Sequence, residues 1–424
     1  MSSPNSIENQ HNSRRKFISE LGSLFALSAV AISYPWFKSF GDSMNTTNEK
    51  SIIAIIGTGS RGRYLQSILS KNPKVEIKIL CDNYEPSLQE ALKISPQAKT
   101  ETDYCKVLEN KEIDAVVIAT PLHEHAHMCI ASFDAGKHVF CEKSMALTPI
   151  DTLKMYKTYR KSGKVFYIGQ QRMFDIRYLK GIEMIKSGMI GNICKVNTFW
   201  YRNSNWRRNV PSPDLERKLN WRLYKEYSCG LMTELATHQL QVGNWAIGAI
   251  PNQISGFGSL VHWKDGRDVY DNVSVRYQYA NGELMTFDSF TGNKKLGMEE
   301  QILGTKGSIE FEKGKYFMEA GTPAPALLQL INDIEHKLFT AIPIGGPSWV
   351  PETANNMDGE YILGKKSIGD GSEMMLESFV ESVITGKPIL EHVEASYYSS
   401  ILSLFGEMAM RENKIINFPE EFKI

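Results

Sequence analysis

Hydrophobic and polar positions follow two different rhythms along this chain. From Ser51 to about Gly169 the apolar residues come in short strand-like runs, continuous in Ile52 to Ile56 and Ala115 to Ala119, with further strands over Val75 to Cys81, His138 to Cys141 and Val165 to Gly169. A strand buried on both faces has no polar side, so such runs predict parallel strands. Helical periodicity fills the gaps, over Tyr64 to Leu69, from about Pro86, over Glu124 to Ala135 and over Pro149 to Lys161. Strand and helix in strict alternation predict a doubly wound parallel sheet.

From about Gln170 the rhythm changes. A helix over Tyr178 to Ser187 is followed by alternating runs: Cys194 to Tyr201, Gln253 to Val261, Val273 to Tyr279, Leu284 to Phe290 and Ser308 to Phe311. Asp265-Gly266 and Asn281-Gly282 supply turns between them. Period two with turn signals predicts a largely antiparallel sheet with one covered face. Gly321 to Gly369 is rich in Pro and Gly and reads as an irregular insertion, and helical periodicity returns over Glu373 to Val383 and Ala395 to Arg411. The predicted fold class is α/β: an N-terminal doubly wound Rossmann-type domain and a C-terminal α+β domain with a large, open, mostly antiparallel sheet.

The first 48 residues stand apart. Ser13, Arg14, Arg15, Lys16, Phe17 and Ile18 form a twin-arginine pattern, and an apolar run follows from Leu21 to Ile32. That run is too short to span a bilayer comfortably and has the length of a signal h-region, with Ala29-Val30-Ala31 as a small-x-small cleavage site. The expected organisation is a leader over 1–48, a dinucleotide-binding domain over 49–170 and a substrate and oligomerisation domain over 171–424. Export by the twin-arginine route to the periplasm is expected, with no stable membrane span after processing.

Charge and cysteine narrow the partners. Lys plus Arg and Asp plus Glu balance at 48 each, so no global field calls for nucleic acid, and a neutral or weakly charged small molecule is the expected ligand. The six cysteines lie far apart without a CxxC pair, and no disulfide is expected from their spacing.

The chemistry begins at Gly57, Thr58, Gly59, Ser60, Arg61 and Gly62. This GxGxxG follows an apolar strand, opens a helix, and is answered by Asp82 at the end of the second strand. Gly57 permits a tight turn, Gly59 lets backbone approach a pyrophosphate, and Gly62 lets helix meet strand. The helix N-terminus offers free N–H groups to phosphates. Asp82 would accept from ribose hydroxyls and repel a 2′-phosphate, which favours NAD over NADP.

Around the third apolar run the chain resembles the glucose-fructose oxidoreductase / inositol dehydrogenase (Gfo/Idh/MocA) family. Ala119, Thr120, Pro121 and His125, then Ala135, Gly136, Lys137, His138 and Val139, then Glu142 and Lys143 carry the resemblance, with Gln171 and Arg172 after the last strand of the domain. The resemblance implies hydride transfer at a sugar-like carbinol, and a homo-oligomer, dimer or tetramer, formed through the open sheet. It adds Thr120, Pro121, His125, Glu142, Lys143, Gln171 and Arg172 to the cofactor site. Lys143 would touch both the substrate hydroxyl and the nicotinamide ribose. Ser144 stands where the family has proline. The family's acid-x-x-x-His motif maps onto Glu234 and His238, which i, i+4 spacing puts on one helix face, with His238 as general base and Glu234, in place of Asp, to orient His238 or bind an adjacent hydroxyl. Gln241 and Val242 occupy the region where a further acid is usual.

Two clusters remain. His123, His125 and His127 alternate, and alternate residues on a helix do not share a face, so no metal site is expected. Tyr201, Arg202, Asn203, Asn205, Trp206, Arg207 and Arg208, with Trp221 and Arg222, mix rings with planar donors. That combination suits sugar faces and hydroxyls or a carboxylate. Arg172, Tyr201 and Asn203 are expected nearest the nicotinamide, and Arg172, Tyr201, Asn203, Trp206 and His238 at the substrate. The expected protein is an exported NAD-dependent oxidoreductase acting on a secondary hydroxyl of a sugar or glycoside, C3 being one position, with its cofactor tightly held. The alternatives are a redox-assisted glycosidase of the same superfamily and a non-catalytic sugar-binding relative.

Overall fold

The computed structural model describes residues 50–319, 359–364 and 369–424. The leader with its twin-arginine pattern, and most of the predicted irregular insertion, lie outside the described residues.

Six parallel strands make the first sheet: β1 (Ser51–Ile56), β2 (Val75–Cys81), β3 (Lys99–Glu101), β4 (Ala115–Ile118), β5 (His138–Cys141) and β6 (Phe166–Ile168). Their order is β3-β2-β1-β4-β5-β6. Five helices connect and cover them: α1 (Ser60–Leu69), α2 (Glu85–Leu92), α3 (Tyr104–Glu109), α4 (Leu122–Asp134) and α5 (Pro149–Ser162). The central strands are buried on both faces, which is why they read as continuous apolar runs. The chain reverses direction across the sheet between β1 and β4, and the crevice above their carboxyl ends is where such sheets bind ligands. The sequence reading missed β3 and α3. β3 pairs with β2 alone at the sheet edge and is Lys-Thr-Glu, so it carries no apolar signal.

The second sheet has nine strands in the order β14-β13-β12-β11-β7-β10-β9-β8-β15. They are β7 (Ile193–Trp200), β8 (Gln253–Ser259), β9 (Asn272–Gln278), β10 (Leu284–Phe290), β11 (Met298–Gly304), β12 (Gly307–Glu310), β13 (Lys315–Met318), β14 (Glu360–Tyr361) and β15 (Ile416–Asn417). Only β7 and β10 pair in parallel; the other ladders are antiparallel. β11 was invisible to the pattern because Glu299 and Glu300 interrupt its apolar positions, yet both are buried. Helices α6 (Ile176–Lys186), α7 (Thr237–Ile247), α8 (Ser372–Thr385) and α9 (Leu390–Glu412) complete the fold.

The last two helices return to the first sheet and lock the two halves together. Tyr167 on β6 hydrogen-bonds Ser378 and Ser382 of α8 at 2.8 and 2.9 Å, and His392 of α9 bonds Ile168 O at 2.9 Å. Gln170, at the junction, donates to Thr237 of α7 and Ser399 of α9. These bonds are buried, so each leaves a costly orphan if broken, and together they fix α7 over the carboxyl edge of the first sheet. Among the described residues no helix is long and apolar enough to cross a membrane.

Candidate active site

The glycine loop joins β1 to α1 above the crevice. Gly57 has φ of 90°, a conformation that side chains rarely adopt. A Cβ on Gly62 would lie 1.9 Å from Gly57 O, so helix and turn touch at that point. At Gly59 a Cβ would meet nothing within 4 Å. The loop is therefore tight where protein meets protein and open where a ligand would approach. No side chain caps the N-terminus of α1, which leaves its first N–H groups for an anion. Asp82 Oδ2 accepts from Thr58 N at 2.7 Å and Thr58 Oγ1 at 3.1 Å, and Oδ1 accepts from Tyr84 N at 2.9 Å. The carboxylate thus shapes the loop and keeps lone pairs for hydroxyls beside it. Gln171, in the turn after β6, has a buried Oε1 with no partner, an acceptor suited to a carboxamide N–H. These features fit a dinucleotide.

Other predicted cofactor residues tie loops together. Arg61 Nε donates to Glu142 Oε1 at 2.6 Å, bridging the glycine loop to the end of β5. His125 presents Nδ1 to Ser144 O at 2.8 Å and Nε2 to Thr120 O at 3.0 Å. Only an imidazolium donates from both nitrogens. Burial disfavours that charge, but Cys141 and the two carbonyls overcome it and push the pKa up to about 9. His125 therefore clasps the loop at Thr120 and Pro121 to the loop at Lys143 and Ser144.

Lys143 meets the second domain at a π-helical turn, Met232–Ala236, just before α7. Thr237 N–H reaches back to Met232 O instead of Thr233 O. The wider turn leaves carbonyls unclaimed, and Lys143 Nζ donates to Thr233 O at 3.2 Å and Glu234 O at 2.9 Å. Ser144 Oγ also donates to Thr233 O, at 3.2 Å, and the Lys143–Ser144 peptide is cis. Two of three ammonium protons are thereby placed, leaving one for a substrate oxygen. Burial lowers the Lys143 pKa, and Glu234 and Glu142 oppose that effect.

The same π turn changes the expected role of Glu234. An α-helix would align residues four apart; here the carboxylate takes Arg222 Nε at 2.8 Å and Ser228 Oγ at 3.2 Å, and stands 3.8 Å from Lys143 Nζ. Burial would raise its pKa, but Lys143 and Arg222 hold it below the usual value. Glu234 orients the lysine rather than the histidine. His238 is buried, with neither ring nitrogen bonded to a described residue, and its ring lies 6.0 Å from that of Trp200. Burial first, then the charges of Arg172, Lys143 and Arg61, hold its pKa well below the ordinary value. The imidazole is neutral and free to accept a proton.

The remaining predicted residues separate by the pleat of β7. Val196 and Thr198 face inward, so period two carries Trp200 to the same side, and the Arg202 guanidinium, just beyond the strand, lies 5.7 Å from the Trp200 ring. Tyr201, expected at the nicotinamide, falls on the other face, edge-on to Phe199 and raised in pKa by burial and Asp288. Asn203 is exposed and bridges Gly292. Trp206 is half-buried at φ of 64°, a left-handed conformation costing about 1–2 kcal/mol. Arg207 and Arg267 hold it there by converging on Asp265. Arg172 is also committed: it pairs with Glu300 at 2.6 Å and Glu312 at 3.1 Å. Burial raises Glu300 above the usual carboxylate range and Arg172 opposes that shift. No group of three or more metal-ligating side chains exists among the described residues.

A strap from the second domain crosses the crevice. Lys218 Nζ donates to Asn83 O at 2.8 Å and sits over the Tyr84 ring, while Tyr227 packs on His123 with ring centroids 4.7 Å apart. The strap therefore runs from the end of β2 to the start of α4, over the carboxyl edge of the sheet.

Comparison with known proteins agrees with this geometry. The chain is similar to 2,7-anhydro-N-acetylneuraminate hydratase of Escherichia coli K12, 26% identical over 264 residues, covering 61% of this chain and 66% of that protein. It is similar to scyllo-inositol 2-dehydrogenase (NAD(+)) of Bacillus subtilis 168, 22% identical over 353 residues, covering 81% and 89%. Its fold matches levoglucosan dehydrogenase solved with NADH and levoglucosan, with TM-score 0.68, 19% identity, and 88% and 100% of the chains covered. Residues 52–170 match the oxidoreductase-family NAD-binding Rossmann fold, and residues 182–403 match that family's C-terminal alpha/beta domain. With both domains matched around one cleft, the chain belongs to the Gfo/Idh/MocA oxidoreductase family and its first domain is an NAD-binding one.

Proposed function

We propose that this protein is an exported NAD-dependent oxidoreductase acting on a secondary hydroxyl of a sugar or glycoside, with a tightly held cofactor recycled in place. The observation that carries the reading is the convergence of Lys143, with one ammonium proton unassigned, and His238, with a free neutral imidazole, on one cleft. A substrate hydroxyl placed between them gives up its proton to His238 while Lys143 stabilises the developing alkoxide. Bound NAD supplies the hydride acceptor. Gly59, the free N-terminus of α1, Asp82 and Gln171 would hold it. The curated relatives named above act on an inositol and an anhydro sugar acid, which supports a polyhydroxylated substrate.

The finer parts of the reading have separate supports. Export rests on the twin-arginine pattern at Arg14 and Arg15. A retained cofactor follows from export, because no soluble pool would re-oxidise released NADH, and the strap at Lys218 and Tyr227 is placed to hold one. For an intact glycoside, oxidation at C3 acidifies the neighbouring C–H and prepares elimination by another enzyme. An oligomer is supported by the outer face of the nine-stranded sheet, where Phe257 is 76% exposed.

The test is to denature purified protein, identify released nucleotide by mass, and incubate the native protein with a glycoside panel. NAD in the supernatant and keto-sugar products are expected. Protein without nucleotide that gives no nicotinamide absorbance with any glycoside overturns the reading. Aglycone release without net reduction replaces it with the glycosidase.

A further inference from the structure

The arginines around the cleft divide sharply. Arg61 holds Glu142, Arg172 holds Glu300 and Glu312, Arg222 holds Glu234, and Arg207 and Arg267 share Asp265. These carboxylates are therefore matched. Among the described residues Arg202 has no such partner; Arg63, which donates to Thr58 O, and the exposed Arg208 share that state, and of the three only Arg202 lies against the Trp200 ring beside His238. It is half-buried, and no carboxylate pairs with it among the described residues. Asp288, the nearby acid on β10, acts on Tyr201 across the sheet and not on Arg202. Burial alone shifts the Arg202 pKa, downward, which is the mark of a cation without a counter-charge.

The side chain is nevertheless held. Arg202 N donates to Phe290 O at 3.0 Å, and the neighbouring backbone is pinned by Ser204 N to Thr291 O and by the Asn203–Gly292 bridge. The guanidinium lies 5.7 Å from the Trp200 ring, and the same ring lies 6.0 Å from His238. A cation–π contact orients an arginine without neutralising it. The guanidinium and the imidazole thus share one indole ring as a neighbour.

We propose that the substrate is an acidic sugar, and that Arg202 binds its carboxylate while His238 and Lys143 address a hydroxyl of the same ring. The planar fork of a guanidinium matches a carboxylate in two parallel bonds, whereas a neutral hydroxyl uses only one of its donors. The substrate class is uronic acids and their glycosides. This inference rests on the dehydrogenase reading above, and it narrows the expectation of a neutral or weakly charged ligand drawn from balanced composition to one carrying a single carboxylate.

The experiment uses full-length, NAD-loaded protein and matched pairs of methyl glycosides, each hexoside beside its uronide. Binding is read by isothermal titration and turnover by nicotinamide absorbance. In at least one pair the uronide binds more tightly and has a kcat/KM higher by about 100-fold. Arg202→Gln collapses that ratio towards one, and Arg202→Lys, which keeps charge but loses the fork, restores part of it. Retained NAD content in each variant shows that the fold and cofactor site survive. The proposal is overturned if no uronide binds, if hexosides match uronides in every pair, or if Arg202→Gln lowers both members equally. Because titration needs no turnover, a protein that binds uronides through Arg202 yet reduces no nicotinamide would sink the dehydrogenase reading and leave the acid site standing.

Discussion

The two walls of the cleft are built on opposite principles. On the wall formed by the first sheet, polar groups already satisfy one another: Asp82 with Thr58 and Tyr84, Arg61 with Glu142, His125 with two carbonyls. The openings in that wall are mostly backbone ones, at Gly59 and at the N-terminus of α1, with the unpartnered Oε1 of Gln171 beside them. On the wall formed by β7, the π turn and α7, with the Lys143 side chain that reaches onto it from the loop after β5, side chains are left with spare capacity: the ammonium of Lys143, the ring of His238 and the guanidinium of Arg202. Satisfied polar groups hold a rigid mould for a ligand whose shape does not vary. Spare donors and acceptors wait for a ligand to complete them. The difference separates a wall made for a common cofactor from one made for a particular substrate.

The contrast predicts that substitutions on the second wall damage turnover and leave nucleotide content intact. Lys143→Met should lower kcat/KM by about 10³-fold, the size expected for removing a donor to a developing oxyanion. Nucleotide released on denaturation should remain stoichiometric. Loss of both together would break the comparison.

His238→Asn should cost about 10²-fold or more, as for a general base, and it should also reshape the pH profile. His238 must be neutral to accept a proton, and its pKa is depressed, so the acid limb of kcat/KM lies below pH 6.5, the ordinary histidine value. Lys143 must be charged, and its pKa is lowered from 10.5, so the alkaline limb falls before that value. The variant should lose the acid limb and keep the alkaline one.

On the first wall the expected damage is to folding and cofactor retention. Gly62→Ala puts a Cβ 1.9 Å from Gly57 O. Overpacking of that kind costs about 1–3 kcal/mol, visible as a lower urea midpoint and reduced nucleotide content. The smallest effect belongs to Lys218→Ala. Its bond to Asn83 O is exposed, so the expected gain in the NAD dissociation rate is below tenfold, from a contact worth about 1 kcal/mol or less. A rate unchanged by this substitution and by Tyr227→Ala would remove the strap from the account of retention.

Much of the fold was legible because most of its strands are apolar on at least one face. Val75–Cys81, His138–Cys141 and Leu284–Phe290 stand where the pattern put them. Two of the failures share a physical cause, which is polar residues inside a strand; others, such as β14 and β15, are too short to show a period. β3 is a polar edge, and β11 buries Glu299 and Glu300 because Arg172 and backbone N–H groups of Glu300, Glu312 and Lys313 receive them. Burial pushes the Glu299 pKa up to about 8 despite those bonds. No local pattern announces a partner that lies more than a hundred residues away.

The site divides in the same way. The glycine loop, Asp82 and the neighbourhood of Lys143 were readable from sequence, because a tight turn, an open helix N-terminus and an acid at a strand end are local requirements of short segments. Tertiary structure decided what those segments do to one another. It committed His125, Arg172 and Glu234 to contacts that hold the site together. It left Arg202 beside Trp200 with no carboxylate partner among the described residues. Sequence determines which groups a chain carries and the period on which they face; which of them remain unpaired depends on long-range contacts, and it is the unpaired groups that meet a substrate.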